Sequence, residues 1–158
     1  MPEYTLSTFT TAGAQAFNPT GVLTDVANTL GLSQAIVIPP NASLIVTSGQ
    51  CGFKENTDSF PADINEEVML AFANAERTLK EAGVADGWKQ VYQLTTYAPS
   101  LDDEWLAAVQ AAKEKHLGLN RPAWTGVTVP SLYGGARLEM TIYAFVPAAG
   151  GRASSERL

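Results

Sequence analysis

The sequence predicts an α+β domain in which two amphipathic helices pack on one face of a mixed β-sheet. Three observations carry this reading. Residues 63–82 and 100–118 each repeat apolar side chains at three- and four-residue spacing between a capping residue and a glycine. Runs rich in Val, Ile, Thr and aromatic residues alternate with them. The 158 residues, 46% hydrophobic and 16% charged, fit one ordered domain with a sizeable core.

Taken in order, residues 4–10 are β-branched and aromatic enough for a first strand. Residues 11–32 form an extended N-terminal segment, small and polar, with a short helical turn over 24–30 capped by Thr24. Two apolar runs, 34–38 and 44–48, flank Pro39-Pro40-Asn41-Ala42, and this turn chemistry predicts a hairpin. Asp63 and Glu66 make a capping-box pattern for the first long helix, whose stripe is Ile64, Val68, Phe72, Ala75, Leu79 and Ala82, with Gly83 as its stop. Residues 88–97 read as a strand ended by Pro99. A second helix starts at Ser100, with Trp105, Val109, Ala112 and His116 on one face and Gly118 at its close. Strands over 124–129 and 136–146 follow, joined as a hairpin across 130–135. A single domain is expected over residues 1–147, with 148–158 a disordered tail.

Charge and composition narrow the function. A net charge of −6 with ten scattered Lys and Arg lacks the footprint of a nucleic-acid binder. Cys51 and His116 are the only residues of their kinds, so no internal disulfide and no Cys- or His-rich metal site is expected. No apolar run approaches the ~18–20 residues of a membrane span, and no secretory signal is visible, so the expected location is the cytoplasm. Cys51 reads as an inert core thiol and His116 as a structural group near a helix C-terminus. Ser48-Gly49 is no nucleophile elbow, and no phosphate-binding or dinucleotide fingerprint is present.

Strand alternation places the candidate chemistry. Leu138, Met140, Ile142, Ala144 and Val146 form an apolar row for the helices, leaving Arg137, Glu139, Thr141, Tyr143 and Phe145 opposite. Matching Val127 and Val129 to the helix side turns Trp124, Gly126 and Thr128 away from it. Trp124, Glu139 and Tyr143 are then expected on the uncovered face, where a row holding Trp, Tyr and Phe calls for another subunit. On the residues alone, Glu139 reads first as a solvated or salt-bridged carboxylate with Arg137 or Arg121 nearby, and Trp124 equally as subunit packing or as a ligand wall.

Residues 33–146 resemble the RidA/YjgF family of reactive-intermediate deaminases, also called endoribonuclease L-PSP. The resemblance rests on Ser33-Gln34-Ala35-Ile36, Ser48-Gly49-Gln50, the helix capped at Asp63, the strand over 91–97, Arg121-Pro122-Ala123 and Leu138-Glu139-Met140, in that order and spacing. It implies a chorismate-mutase-like fold and a homotrimer whose uncovered sheet faces form a central barrel, with ligand clefts between subunits. It also implies hydrolysis of imines and enamines with no cofactor. In such deaminases an arginine grips the substrate carboxylate, a glutamate near the last strand positions water, and small residues around a Ser-Gly pair shape the cleft.

Glu139, Ser48 and Gly49 match that pattern, and four positions depart from it. The arginine is Trp124, the cysteine two residues on is Gly126, an aromatic residue is Leu32, and a helical asparagine falls at Ala108 or Val109. An indole cannot form the paired, charged hydrogen bonds of a guanidinium. Losing such a partner costs roughly 2–5 kcal/mol of binding. The expected function is therefore a diverged RidA-like enzyme acting on a small reactive intermediate of specialised metabolism by hydrolysis, tautomerisation or rearrangement. Glu139 is its expected catalytic residue, with Trp124, Ser48, Gly49, Gly126, Leu32, Arg121 and Arg137 around the substrate. Two alternatives stand beside it: a non-catalytic trimeric ligand-binding or chaperone-like module, and a retained deaminase in which Arg121 or Arg137 reaches the carboxylate.

Overall fold

The computed structural model describes residues 13–149. Its elements are β1 (Gln15–Phe17), α1 (Val22–Leu30), β2 (Ala35–Val37), β3 (Ser43–Val46), β4 (Gln50–Cys51), α2 (Ile64–Glu81), β5 (Val91–Ala98), α3 (Asp103–His116), β6 (Ala123–Thr128) and β7 (Glu139–Val146). The strand expected over residues 4–10 lies outside the described residues, as does most of the expected C-terminal tail.

The α+β architecture with α2 and α3 on one sheet face is as expected, and its local signals explain both helices. Asp63 accepts hydrogen bonds from the backbone N–H groups of Asn65 (2.6 Å) and Glu66 (3.3 Å), so α2 starts there. Gly83, at φ +90°, ends it. Asp102, not Ser100, caps α3: its carboxylate accepts from the Trp105 N–H at 2.9 Å while the Ser100 hydroxyl holds the other oxygen. The buried stripes of α2 and α3 meet Leu94, Leu138, Met140, Ile142 and Ala144 from the sheet. Trp88 stacks on Phe72 at 4.8 Å in this core and donates its indole N–H to the Phe72 carbonyl at 2.9 Å. Each such large side chain contributes about 1.5–3 kcal/mol by leaving water.

Neither expected hairpin forms. The main sheet runs in the order β3-β7-β5-β6, with β4 continuing along β7. β5 therefore inserts between β6 and β7, pairing parallel with the first and antiparallel with the second. Likewise β2 pairs with β1, and β3 with β7, so the Pro39-Pro40 corner carries the chain from one sheet to another. The segment over 24–30 is also a fuller helix, α1, that begins before Thr24; the Thr24 hydroxyl donates to the Pro19 carbonyl instead of capping.

Two irregularities shape the face opposite the helices. Val46 pairs with Tyr143 and Gln50 with Met140, so Thr47, Ser48 and Gly49 lie opposite only Thr141 and Ile142: a β-bulge. The β1–β2 ribbon then covers one end of this face, burying Phe145 with Ala14 among Ile36, Ile38, Ala42 and Tyr92. The rest stays open, and Leu44 and Val46 are each 61% exposed. Among the described residues no helix is long and apolar enough to cross a membrane.

Candidate functional site

Sheet register defines the open face row by row. Cys51, Glu139, Tyr97 and Val127 are successive cross-strand neighbours, and Thr141, Thr95 and Thr125 form the next row. Such neighbours hold their Cβ atoms about 5 Å apart on one side of the sheet. A carboxylate, a phenol and three hydroxyls thus occupy one end of the face, while Leu44, Val46 and Tyr143 occupy the other.

The bulge sets where the Glu139 carboxylate lies. A Cβ on Gly49 would overlap Glu139 Oε1, Cδ and Cγ, so the absence of a side chain at residue 49 is what admits the carboxylate. Ser48, the residue before Gly49, is exposed. Cys51 is buried and its thiol donates weakly to Glu139 Oε2 at 3.9 Å. Burial, followed by the negative charges of Glu139 and Glu67, pushes that thiol up to about 12. It is an inert donor and not a nucleophile.

Trp124 requires a correction. β6 runs parallel to β5 with Leu94 opposite Trp124, Thr96 opposite Gly126 and Ala98 opposite Thr128. Leu94, Thr96 and Ala98 are buried toward the helices, so Trp124, Gly126 and Thr128 face the helix side, and Val127 joins Glu139 on the open face. Matching valines across strands misplaced the row because the pairing partner of β6 is β5. The Trp124 indole donates to Thr96 Oγ1 at 3.2 Å, and Lys113 Nζ of α3 lies 5.4 Å above its ring. Within one chain, Trp124 and Glu139 do not share a pocket.

The two arginines are also committed. Arg137 joins its Nε to Glu67 Oε2 at 2.6 Å, its backbone N–H to Glu67 Oε1 at 2.7 Å and Nη2 to the Pro61 carbonyl at 2.9 Å. Glu67 is fully buried, so this pair anchors the start of β7 to α2. Arg121 donates Nη1 to the carbonyls of Gly118 (2.8 Å) and Asn120 (3.0 Å). Its own carbonyl accepts from the Ser33 hydroxyl at 2.5 Å, which brings half-buried Leu32 close to the start of β6. The structure therefore brings Glu139 and Gly49 together, ties the segment after Leu32 to Arg121 at the start of β6, and sets Arg137 apart on Glu67.

Sequence reasoning missed Glu67, Lys113 and Tyr97. Glu67 was detectable: it sits three residues after Ile64 and four before Ala71, on the apolar stripe, where a carboxylate signals a buried partner. Tyr97 beside Glu139 depends on β5–β7 register, which the chain order does not show.

The chain is thus an α+β domain with two helices on one sheet face and a carboxylate bedded on a bulge at the other. The chain belongs to the endoribonuclease L-PSP family, whose profile matches residues 24–146. Solved structures share the fold. YyfB of the Rid protein family from Yersinia pestis, a protein of unknown function, is 20% identical with a TM-score of 0.71, over 84% of this chain and 98% of that one. YJGH is 25% identical with a TM-score of 0.60, over 85% and 98% of the two chains. RidA from an Antarctic Psychrobacter is 21% identical with a TM-score of 0.59, over 83% and 94%. Among curated protein sequences none matches.

Proposed function

We propose that the protein is a diverged RidA-like enzyme that turns over a small reactive intermediate at the Glu139 end of the open sheet face, in a cleft completed by a second subunit of a homotrimer. The observation that carries this reading is the Glu139 carboxylate bedded on side-chain-free Gly49, with Tyr97 as its cross-strand neighbour. In hydrolysis of an imine, Glu139 takes a proton from water as the water oxygen bonds to the imine carbon. The proton passes on to nitrogen to give a carbinolamine, whose hydroxyl proton is then carried by the same carboxylate to nitrogen as the carbon–nitrogen bond breaks, so that an amine or ammonia leaves with a carbonyl product. The exposed end of the face, at Leu44, Val46 and Tyr143, suits subunit packing, whereas the hydroxyl-rich end suits the cleft.

Imino-acid deamination is not the favoured reaction. At the position where the resemblance expects a carboxylate-gripping arginine, the Trp124 indole is engaged with Thr96 and Lys113. A less anionic substrate fits this site better. A ribonuclease role draws no support from a chain of net charge −6. Ammonia release from 2-iminopropionate formed in situ is compared with hydrolysis of imines that lack a carboxylate, in the wild type and in Glu139→Gln. Turnover of the latter class that falls at least 100-fold in Glu139→Gln supports the reading. Ligand binding without turnover in either protein replaces it with a non-catalytic binding module. Efficient turnover of 2-iminopropionate restores the deaminase reading.

A further inference from the structure

A cavity of about 100 Å³ lies between α1, α3 and the turn before β6, lined by Asn28, Thr29, Gln110, Lys113, Glu114 and Arg121 among others. Two cations converge on it. A Cβ on Gly31 would lie 2.7 Å from Lys113 Nζ and 3.6 Å from Arg121 Nε, so both groups crowd the same glycine. Lys113 is only 8% exposed. Its ammonium carries three donors, one of which is given to the Leu30 carbonyl at 2.5 Å. Arg121 uses Nη1 on two carbonyls, leaving the rest of its fork of donors.

Among the described residues neither cation sits within ion-pair distance of a carboxylate. The carboxylate ion pairs found there belong to Lys80 and Arg137, and the His116 ring is hydrogen-bonded to Glu76. Glu114 at the cavity wall is exposed and accepts from Gln110 Nε2 at 3.0 Å, within its own helix. Burial, and then the nearby Arg121 charge, push the Lys113 ammonium down from its usual value, against a smaller opposite pull from the Glu114 carboxylate. An anion between the two cations reverses the second effect. A guanidinium edge and an ammonium on either side of a small cavity, with Asn28, Thr29 and Gln110 at its wall, form the donor set that binds a carboxylate or phosphate group.

We propose that this cavity binds a small oxyanion between Lys113 and Arg121. The site is independent of Glu139 chemistry, so binding is read without any turnover. The purified full chain is titrated with inorganic phosphate and, separately, with acetate at fixed pH and ionic strength, following the Gly31 amide and Arg121 Nε–H resonances. The expected result is a saturable shift at millimolar concentration with one of the two anions, weakened at least tenfold in both Lys113→Met and Arg121→Gln. The stronger of the two anions identifies a phosphate or a carboxylate ligand. No saturable shift, or one of the same affinity in Arg121→Gln, overturns the proposal. Should Lys113→Met fail to fold, Arg121→Gln decides alone.

Discussion

Glu139 and Gly49 are locked together by shape: the carboxylate occupies the space that any side chain at residue 49 would fill. Their contact joins two strands and exists only because the bulge at Thr47, Ser48 and Gly49 turns the chain edge toward β7. Gly49→Ala is therefore expected to destabilise the fold by about 1–3 kcal/mol, the usual cost of forcing an extra carbon into a filled site. In a Glu139→Ala background the same change should cost much less. Urea denaturation of the four proteins measures the coupling, and simple additivity would show that the two side chains do not compete for space.

Glu67 and Arg137 anchor the start of β7. Glu67 is fully buried with both oxygens bonded to Arg137. Arg137→Met strands that charge and is expected to cost about 3–5 kcal/mol. Pairing it with Glu67→Gln should recover part of the loss, because no uncompensated carboxylate then remains buried. Equilibrium unfolding of the single and double variants checks both statements.

Acid sensitivity is expected from His116. Burial pushes its pKa down, outweighing the Glu76 carboxylate that accepts from Nδ1 at 3.2 Å. The folded state thus favours the neutral ring, and the unfolded chain binds the proton more readily. This contribution is complete above the unfolded value of about 6.5 and is lost as pH falls below it. The urea midpoint should drop between about pH 7.5 and pH 5.5, and the drop should shrink in His116→Gln, since carboxylates titrate mainly below that window.

Cys51 should resist thiol reagents in the native protein. Its thiol is pushed up to about 12 by burial and by two carboxylates, so little thiolate exists at about pH 8. Labelling should be slow when folded and complete in denaturant. Glu139→Gln removes one of the two charges and should speed native labelling, followed by mass spectrometry.

The open face should carry self-association. Val46 is 61% exposed on it, with Tyr143 directly opposite. Val46→Glu places a charge among apolar neighbours and is expected to convert a particle with the mass of three chains into one. Light scattering coupled to gel filtration reads the mass directly.

Local chemistry made part of this protein legible. Asp63, Asp102, Gly83 and the three- and four-residue apolar spacing each act within a turn or two of chain, so α2 and α3 stand close to where their residues place them. The alternation of β7 is legible for the same reason, and it put Glu139 on the open face. Partner choice between strands is not local. β6 and β7 are consecutive, yet β5 lies between them, and the β5 register decides that Trp124 looks toward Lys113 and away from Glu139. A slip of one residue exchanges the two faces of a strand, and only burial of Leu94, Thr96 and Ala98 against the helices selects one register. The sequence by itself determined α2, α3, the fold class and the residues capable of chemistry. The tertiary structure alone decided which of them meet, because cross-strand pairing and packing free energy depend on contacts between residues far apart in the chain.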